Sequence, residues 1–144
     1  MQKFIKILSK CNNSEFKLIL VIVGTNFFSF DRLIKEVDLN ICTNHSVTIQ
    51  IGVSNYIPKN ANYFDYADKK SIINLIKESD LIITHGGFGT MMDAIELGKK
   101  IIAVPRKLEF EECLDNQEEL VRYFDDKNYV LGCYDIDKLN DLVN

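Results

Sequence analysis

The segment His85-Gly86-Gly87-Phe88-Gly89-Thr90 sets three glycines within four positions between an imidazole and a hydroxyl. It follows the apolar run Leu81-Ile82-Ile83-Thr84 and leads into an amphipathic stretch, Thr90 to Leu97, that Gly98 closes. A strand, a glycine turn and a helix in that order offer main-chain N–H groups and a helix N-terminus to an anion. Glycines lack Cβ, so a phosphate can come close to the backbone there. The helix dipole contributes only about 0.3–1 kcal/mol to such binding, or about 2 when partly buried, so several N–H bonds must supply the rest. Asp93 lies one helical turn further on. Its carboxylate suits the two vicinal hydroxyls of a ribose, and equally suits a plain acidic position near a helix start.

Other polar groups belong with this turn. Gly24-Thr25-Asn26 ends an earlier apolar run and offers a second patch of N–H donors, or a simple strand-to-loop turn. Asp115-Asn116-Gln117 stands at the start of a helical pattern, either to recognise a sugar through carboxylate and amide or to cap the helix. Arg106, just after Pro105, reads as a phosphate partner or a solvated surface residue. His85 reads as a donor to a phosphate or sugar oxygen, or as a residue that steadies the turn. Neither His85 nor His45 is nominated as a catalytic base. The sequence holds no Ser/His/Asp set, paired-carboxylate motif or metal-ligand cluster, and no metal or cofactor is expected. The turn lacks the GKS or GKT of a P-loop, and its GGxG spacing does not fit the dinucleotide fingerprint.

The elements that must position these residues alternate along the chain. Strands are expected at Leu18–Val23, Val47–Ile51, Tyr63–Tyr66, Leu81–Thr84, Ile101–Val104 and Tyr129–Leu131. Helices are expected at Asp31–Leu39, Ser71–Lys77, Thr90–Leu97, Asn116–Phe124 and Ile136–Leu142, with loop at Ser54–Asn62 and a charged loop at Arg106–Leu114. Unbroken apolar strands alternating with amphipathic helices predict an α/β fold, a parallel sheet with helices on both faces. Ligands of such sheets sit beyond the carboxyl ends of the strands, which puts the turns after Val23, Thr84 and Val104 on one rim.

The chain has 144 residues, the size of one domain, and 47% hydrophobic residues, enough for a core. A net charge of −4 gives no reason to expect nucleic acid. Cys11, Cys42, Cys113 and Cys133 are scattered without a CxxC and read as reduced thiols. No run is long enough to span a membrane and no signal peptide stands out, so a cytoplasmic protein is expected. Met1 to Lys10 mixes Phe4, Ile5, Ile7 and Leu8 with lysines, as a helix packed on the domain, a poorly ordered extension or a short amphipathic helix on a membrane surface.

The stretch from Thr84 through Gly86-Gly87-Phe88-Gly89-Thr90 to Pro105 resembles the nucleotide-sugar motif of the glycosyltransferase family 28 C-terminal domain. Val23-Gly24-Thr25-Asn26 with Phe30-Asp31-Arg32-Leu33, the Gln50-Ile51-Gly52 strand end and Asp115-Asn116-Gln117 fall in the same family order. Within the family the chain is most similar to the PssE type, small subunits of two-component bacterial transferases for exopolysaccharide and capsule. The resemblance implies a Rossmann-like, single GT-B C-terminal-type domain over residues 18–144, after an N-terminal extension at 1–17. It implies a UDP-sugar donor, with Gly86, Gly87, Gly89 and Thr90 at the diphosphate, Asp93 at the ribose, and Asp115, Asn116 and Gln117 facing the sugar. Relatives usually carry Glu where Asp93 stands and His where Asn116 stands.

One rim of loops supplies a donor site but no acceptor site, and sugar transfer must also exclude water. The resemblance therefore implies a second chain, a PssD-like membrane-associated acceptor-binding subunit. Membrane contact would be indirect, at the inner face of the membrane through that partner. The leading expectation is an inverting hexosyltransferase subunit acting on a lipid-linked acceptor. The alternatives are a non-catalytic accessory subunit that stimulates a partner transferase, and a nucleotide-binding regulatory module.

Overall fold

The computed structural model describes residues 18–144, and the segment 1–17, with its possible amphipathic helix, lies outside the described residues. Six strands form one parallel sheet: β1 Leu18–Ile22, β2 Ser46–Gln50, β3 Asn62–Phe64, β4 Leu81–His85, β5 Lys100–Val104 and β6 Leu131–Gly132. Their order is β3-β2-β1-β4-β5-β6. The direction of winding reverses between β1 and β4, the place where such sheets open a crevice at their carboxyl ends.

The apolar runs divide by side-chain alternation. Ile19, Val21 and Val23 join Leu81, Ile83, Ile102 and Val104 in one core, closed by Phe30, Leu33, Ile34, Leu139 and Val143. Leu20, Ile22, Ile82, Ile101 and Ala103 face the other way, onto Ile76, Met91, Ala94, Val121 and Phe124. Both faces of β1 and β4 are thus dry, which is why β1 is apolar at every position and β4 from Leu81 to Ile83, before the buried Thr84 and His85 at its carboxyl end.

The helices are α1 Asp31–Glu36, α2 Lys69–Glu78, α3 Phe88–Glu96, α4 Glu118–Asp126 and α5 Leu139–Val143. The expected helix at Asp31–Leu39 instead changes to a π-turn at Val37–Ile41, closed by Cys42 N–H donating to the Val37 carbonyl. The wide turn holds the buried Asp38 carboxylate where it accepts from the Tyr56 hydroxyl and the N–H groups of Lys59, Asn60 and Ala61. Burial alone would raise its pKa, but these bonds together hold it below the usual carboxylate value.

Two boundaries move for a physical reason. α3 begins at Phe88 rather than Thr90, so Gly89 and Thr90 lie inside its first turn. The last strand is Leu131–Gly132 rather than Tyr129–Leu131, because Asn128 takes a left-handed φ of 63° and Tyr129 N–H returns to the Phe124 carbonyl, ending α4. The remaining expected elements are found with ends shifted by a few residues, and Ile136–Lys138 forms a 3-10 turn ahead of α5.

Candidate functional site

At the carboxyl ends of β1, β4 and β5 the loops surround a cleft of about 730 Å³. Eleven of the twelve candidate residues line it: Gly24, Thr25 and Asn26 on one wall, His85, Gly86, Gly87, Gly89 and Thr90 on the floor, and Asp115, Asn116 and Gln117 opposite. The twelfth, Asp93, lines a smaller hollow of about 320 Å³ with Gln50, Tyr66 and Lys69. The two hollows share Gly24, Thr25, Gly89 and Thr90.

The start of α3 is bare. Its N-cap is Gly87, no side chain caps it and its first turn holds no acid. By contrast α2 is capped by Asp68, whose carboxylate accepts from Ser71 N–H at 2.8 Å. Among the described residues the N–H groups of Gly87, Phe88, Gly89 and Thr90 meet no acceptor, and Phe88 and Gly89 are exposed. A Cβ added at Gly89 would meet nothing within 4 Å, so no protein neighbour requires a glycine there. A Cβ at Gly24 or Gly87 would run into the His85 ring, which sits between the two turns.

Not every expected donor is available. Gly86 is buried, and its N–H must be satisfied inside the protein. It donates to Gln117 Oε1 at 2.9 Å. The Gly24 N–H likewise donates to Gln50 Oε1, which also takes the Val23 N–H, while Gln50 Nε2 returns to the Gly24 carbonyl. Gln50 thereby fixes the turn at Gly24, whose φ of +85° favours glycine. Asn26 Oδ1 accepts from Phe28 N–H and Asn116 Oδ1 from Glu118 N–H, each closing a local turn.

Gln117 lines the cleft, but its amide is engaged within the protein. Its Oε1 accepts from both Gly86 N–H and Arg106 N–H, and its amide nitrogen lies 3.3 Å from His85 Nδ1. His85 is 7% exposed. Burial first, and the Arg106 charge second, push its pKa down to about 3, so the ring is neutral at physiological pH.

Arg106 is neither solvated nor free to grip a phosphate; its exposure is 0%. Its guanidinium donates to the carbonyls of Val23 at 2.7 Å, Phe28 at 2.9 Å and Glu112 at 3.0 Å, and stacks over the Phe30 ring. Burial lowers its pKa to about 10, which leaves it charged at neutral pH. One side chain thus ties the β1 loop to the segment before α4. Arg32 adds a second tie, pairing with Glu112 at 2.9 Å and donating to the Pro105 carbonyl. Sequence reasoning singled out neither this use of Arg106 nor that of Lys69, whose ammonium lies 3.2 Å from the Asp93 carboxylate.

Two large apolar side chains stand at the mouth of the cleft: Phe27 is 92% exposed and Leu114 79%. Among the described residues no His, Cys, Asp or Glu cluster suited to a metal is found, and no helix is long and apolar enough to cross a membrane.

Residues 18–144 match the model of the glycosyltransferase family 28 C-terminal domain. UDP-N-acetylglucosamine transferase subunit ALG13 of Mus musculus is 29% identical over 131 residues, covering 81% of this chain but only 11% of that protein. Among solved structures, MurG of Acinetobacter baumannii superposes with a TM-score of 0.63 at 15% identity, over 96% of this chain and 43% of its own. The glycotransferase of kitacinnamycin gives 0.68 at 15% identity, over 88% and 33%. A solution structure of ALG13 gives 0.54 at 20% identity, over 83% and 79%. These likenesses show the fold, and the chain spans less than half of the first two proteins.

Proposed function

The chain belongs to the glycosyltransferase family 28 C-terminal domain, and on that premise we propose that it is the donor-binding subunit of a two-component transferase that moves a sugar from a UDP-sugar to a lipid-linked acceptor. The observation that carries the reading is the uncapped start of α3, where four N–H groups meet no acceptor among the described residues and Gly87, Gly89 and Thr90 line a cleft of nucleotide-sugar size. The layout of the two hollows supports the same order of ligand parts. The ribose goes to Asp93 in the smaller hollow, the diphosphate to the shared rim at Gly89 and Thr90 with Gly87 beside it in the larger hollow, and the sugar to Asp115 and Asn116 across the larger one.

In the proposed reaction the acceptor hydroxyl attacks the anomeric carbon with inversion, and the bond from that carbon to the β-phosphate oxygen breaks. Negative charge gathers on the departing UDP, where fixed N–H groups and the helix dipole stabilise it without reorganising. The buried Arg106 charge behind the wall adds a positive field. His85, with its pKa near 3, is too weak a base to deprotonate the acceptor. That proton goes to a base on the partner, a PssD-like membrane-associated subunit in exopolysaccharide or capsule synthesis. The exposed Phe27 and Leu114 beside the cleft fit a docking edge for such a chain.

The test is reconstitution of the chain with its genomic-neighbour partner, a panel of UDP-sugars and a polyprenyl diphosphate-linked acceptor. Product with one donor is expected. Absence of product with every donor, with both chains folded and associated, contradicts the reading.

A further inference from the structure

We propose that Gln117 is a positioning residue that holds the His85 ring as its Nε2–H tautomer and so turns one neutral N–H donor into the cleft. The argument is one of acceptor capacity. An amide oxygen has two lone pairs, and both on Gln117 Oε1 are taken, by Gly86 N–H at 2.9 Å and Arg106 N–H at 3.1 Å. Flipping the amide would set an NH₂ group against two N–H donors and leave both unpaired. Its orientation is therefore fixed by the backbone, and the group left to meet His85 Nδ1, at 3.3 Å, is the amide nitrogen. An amide nitrogen only donates. Nδ1 must hold the lone pair, and the ring proton must be on Nε2.

The ring has no freedom to escape this assignment. It is packed between Gly24 and Gly87, where neither position has room for a side chain. Nε2 meets no acceptor among the described residues, and the residue lines the cleft. The Arg106 guanidinium is the charged group that bears on the ring and disfavours the imidazolium. Asp115, exposed, lines the same cleft, and the Cys113 thiol beside it is pushed up by burial and stays neutral. A single neutral tautomer gives the cleft a donor whose strength does not change near pH 7. Gln117 then serves the site through His85, rather than by touching the sugar.

The functional half of this inference rests on the donor-site reading above; the tautomer does not. Imidazole ¹⁵N–¹H correlation spectra of the unmodified protein should show a pyrrole-like Nε2 and a pyridine-like Nδ1 for His85. In Gln117→Glu, whose second carboxylate oxygen accepts instead of donating, Nδ1 should become protonated. Gln117→Met should lose about tenfold or more in UDP affinity, the scale of one hydrogen bond to a charged group. In a His85→Phe background the same change should cost UDP nothing further. A pyridine-like Nε2 in the unmodified protein, an unchanged pattern in Gln117→Glu, or full additivity of the two losses overturns the proposal. Absence of UDP binding to the unmodified protein would overturn the donor-site reading, and the functional half with it, while the ring spectrum still decides the tautomer.

Discussion

Gly89 separates the needs of the fold from the needs of a ligand. It occupies the second position of α3, and a Cβ built there meets no atom within 4 Å. Glycine in a helix costs about 1 kcal/mol relative to alanine, so Gly89→Ala should raise stability by about 0.5–1 kcal/mol. For a domain of this size that is about 2–5 °C in Tm. Gly89→Asp should be at least neutral, because an acid in a first turn that holds none gains about 0.3–1 kcal/mol from the dipole. If a diphosphate is gripped by the adjacent N–H groups, the same Cβ stands where the phosphate must come. UDP affinity should then fall about tenfold in Gly89→Ala, a loss of about 1.4 kcal/mol, and beyond detection in Gly89→Asp, where like charges meet. Thermal unfolding and isothermal calorimetry on the same samples give both numbers. Stability up and affinity down is the expected pair. Unchanged UDP affinity in both folded variants would refute the reasoning. Gly87→Asp is the poorer choice, since its Cβ collides with His85 and binding would be lost with or without a ligand contact.

Asp93→Asn should cost less than about 1 kcal/mol of stability, because its partner Lys69 is largely exposed. It should also erase any preference for UDP over 2′-deoxy-UDP in competition binding. His85 titrates near 3 when folded against 6.5 when free, so as pH falls below 6.5 the unfolded chain takes up the proton first. Stability should therefore drop by about 2 kcal/mol more between pH 7 and pH 5 in the unmodified protein than in His85→Phe, measured by urea unfolding. Arg106→Ala should lose at least about 3 kcal/mol, since the carbonyls of Val23, Phe28 and Glu112 lose their donor together. Arg106→Lys should recover only part of it, lacking the planar fork.

The sheet was legible because β1 and the first three residues of β4 are covered on both faces and are apolar without a break. The glycine turn was legible for a related reason, since at Gly24 and Gly87 the His85 ring leaves no room for a Cβ and only glycine is tolerated. What could not be read were the uses of side chains that answer to distant groups. Arg106 looks like a surface arginine until Val23 and Phe28, 83 and 78 residues away, are brought against it. Gln117 reads as a ligand contact because its claimants, Gly86 N–H and His85, arrive from another strand. β6 was misplaced because a strand of two residues carries almost no pattern, and the left-handed Asn128 that precedes it has no strong local signal.

The most direct test follows backbone amide resonances of the ¹⁵N-labelled protein as UDP is added. The account predicts saturable shifts that are largest at Gly87, Phe88, Gly89 and Thr90, with smaller ones at Asp93. Saturable shifts confined to other surfaces, or none at millimolar UDP with or without the partner chain, would contradict it.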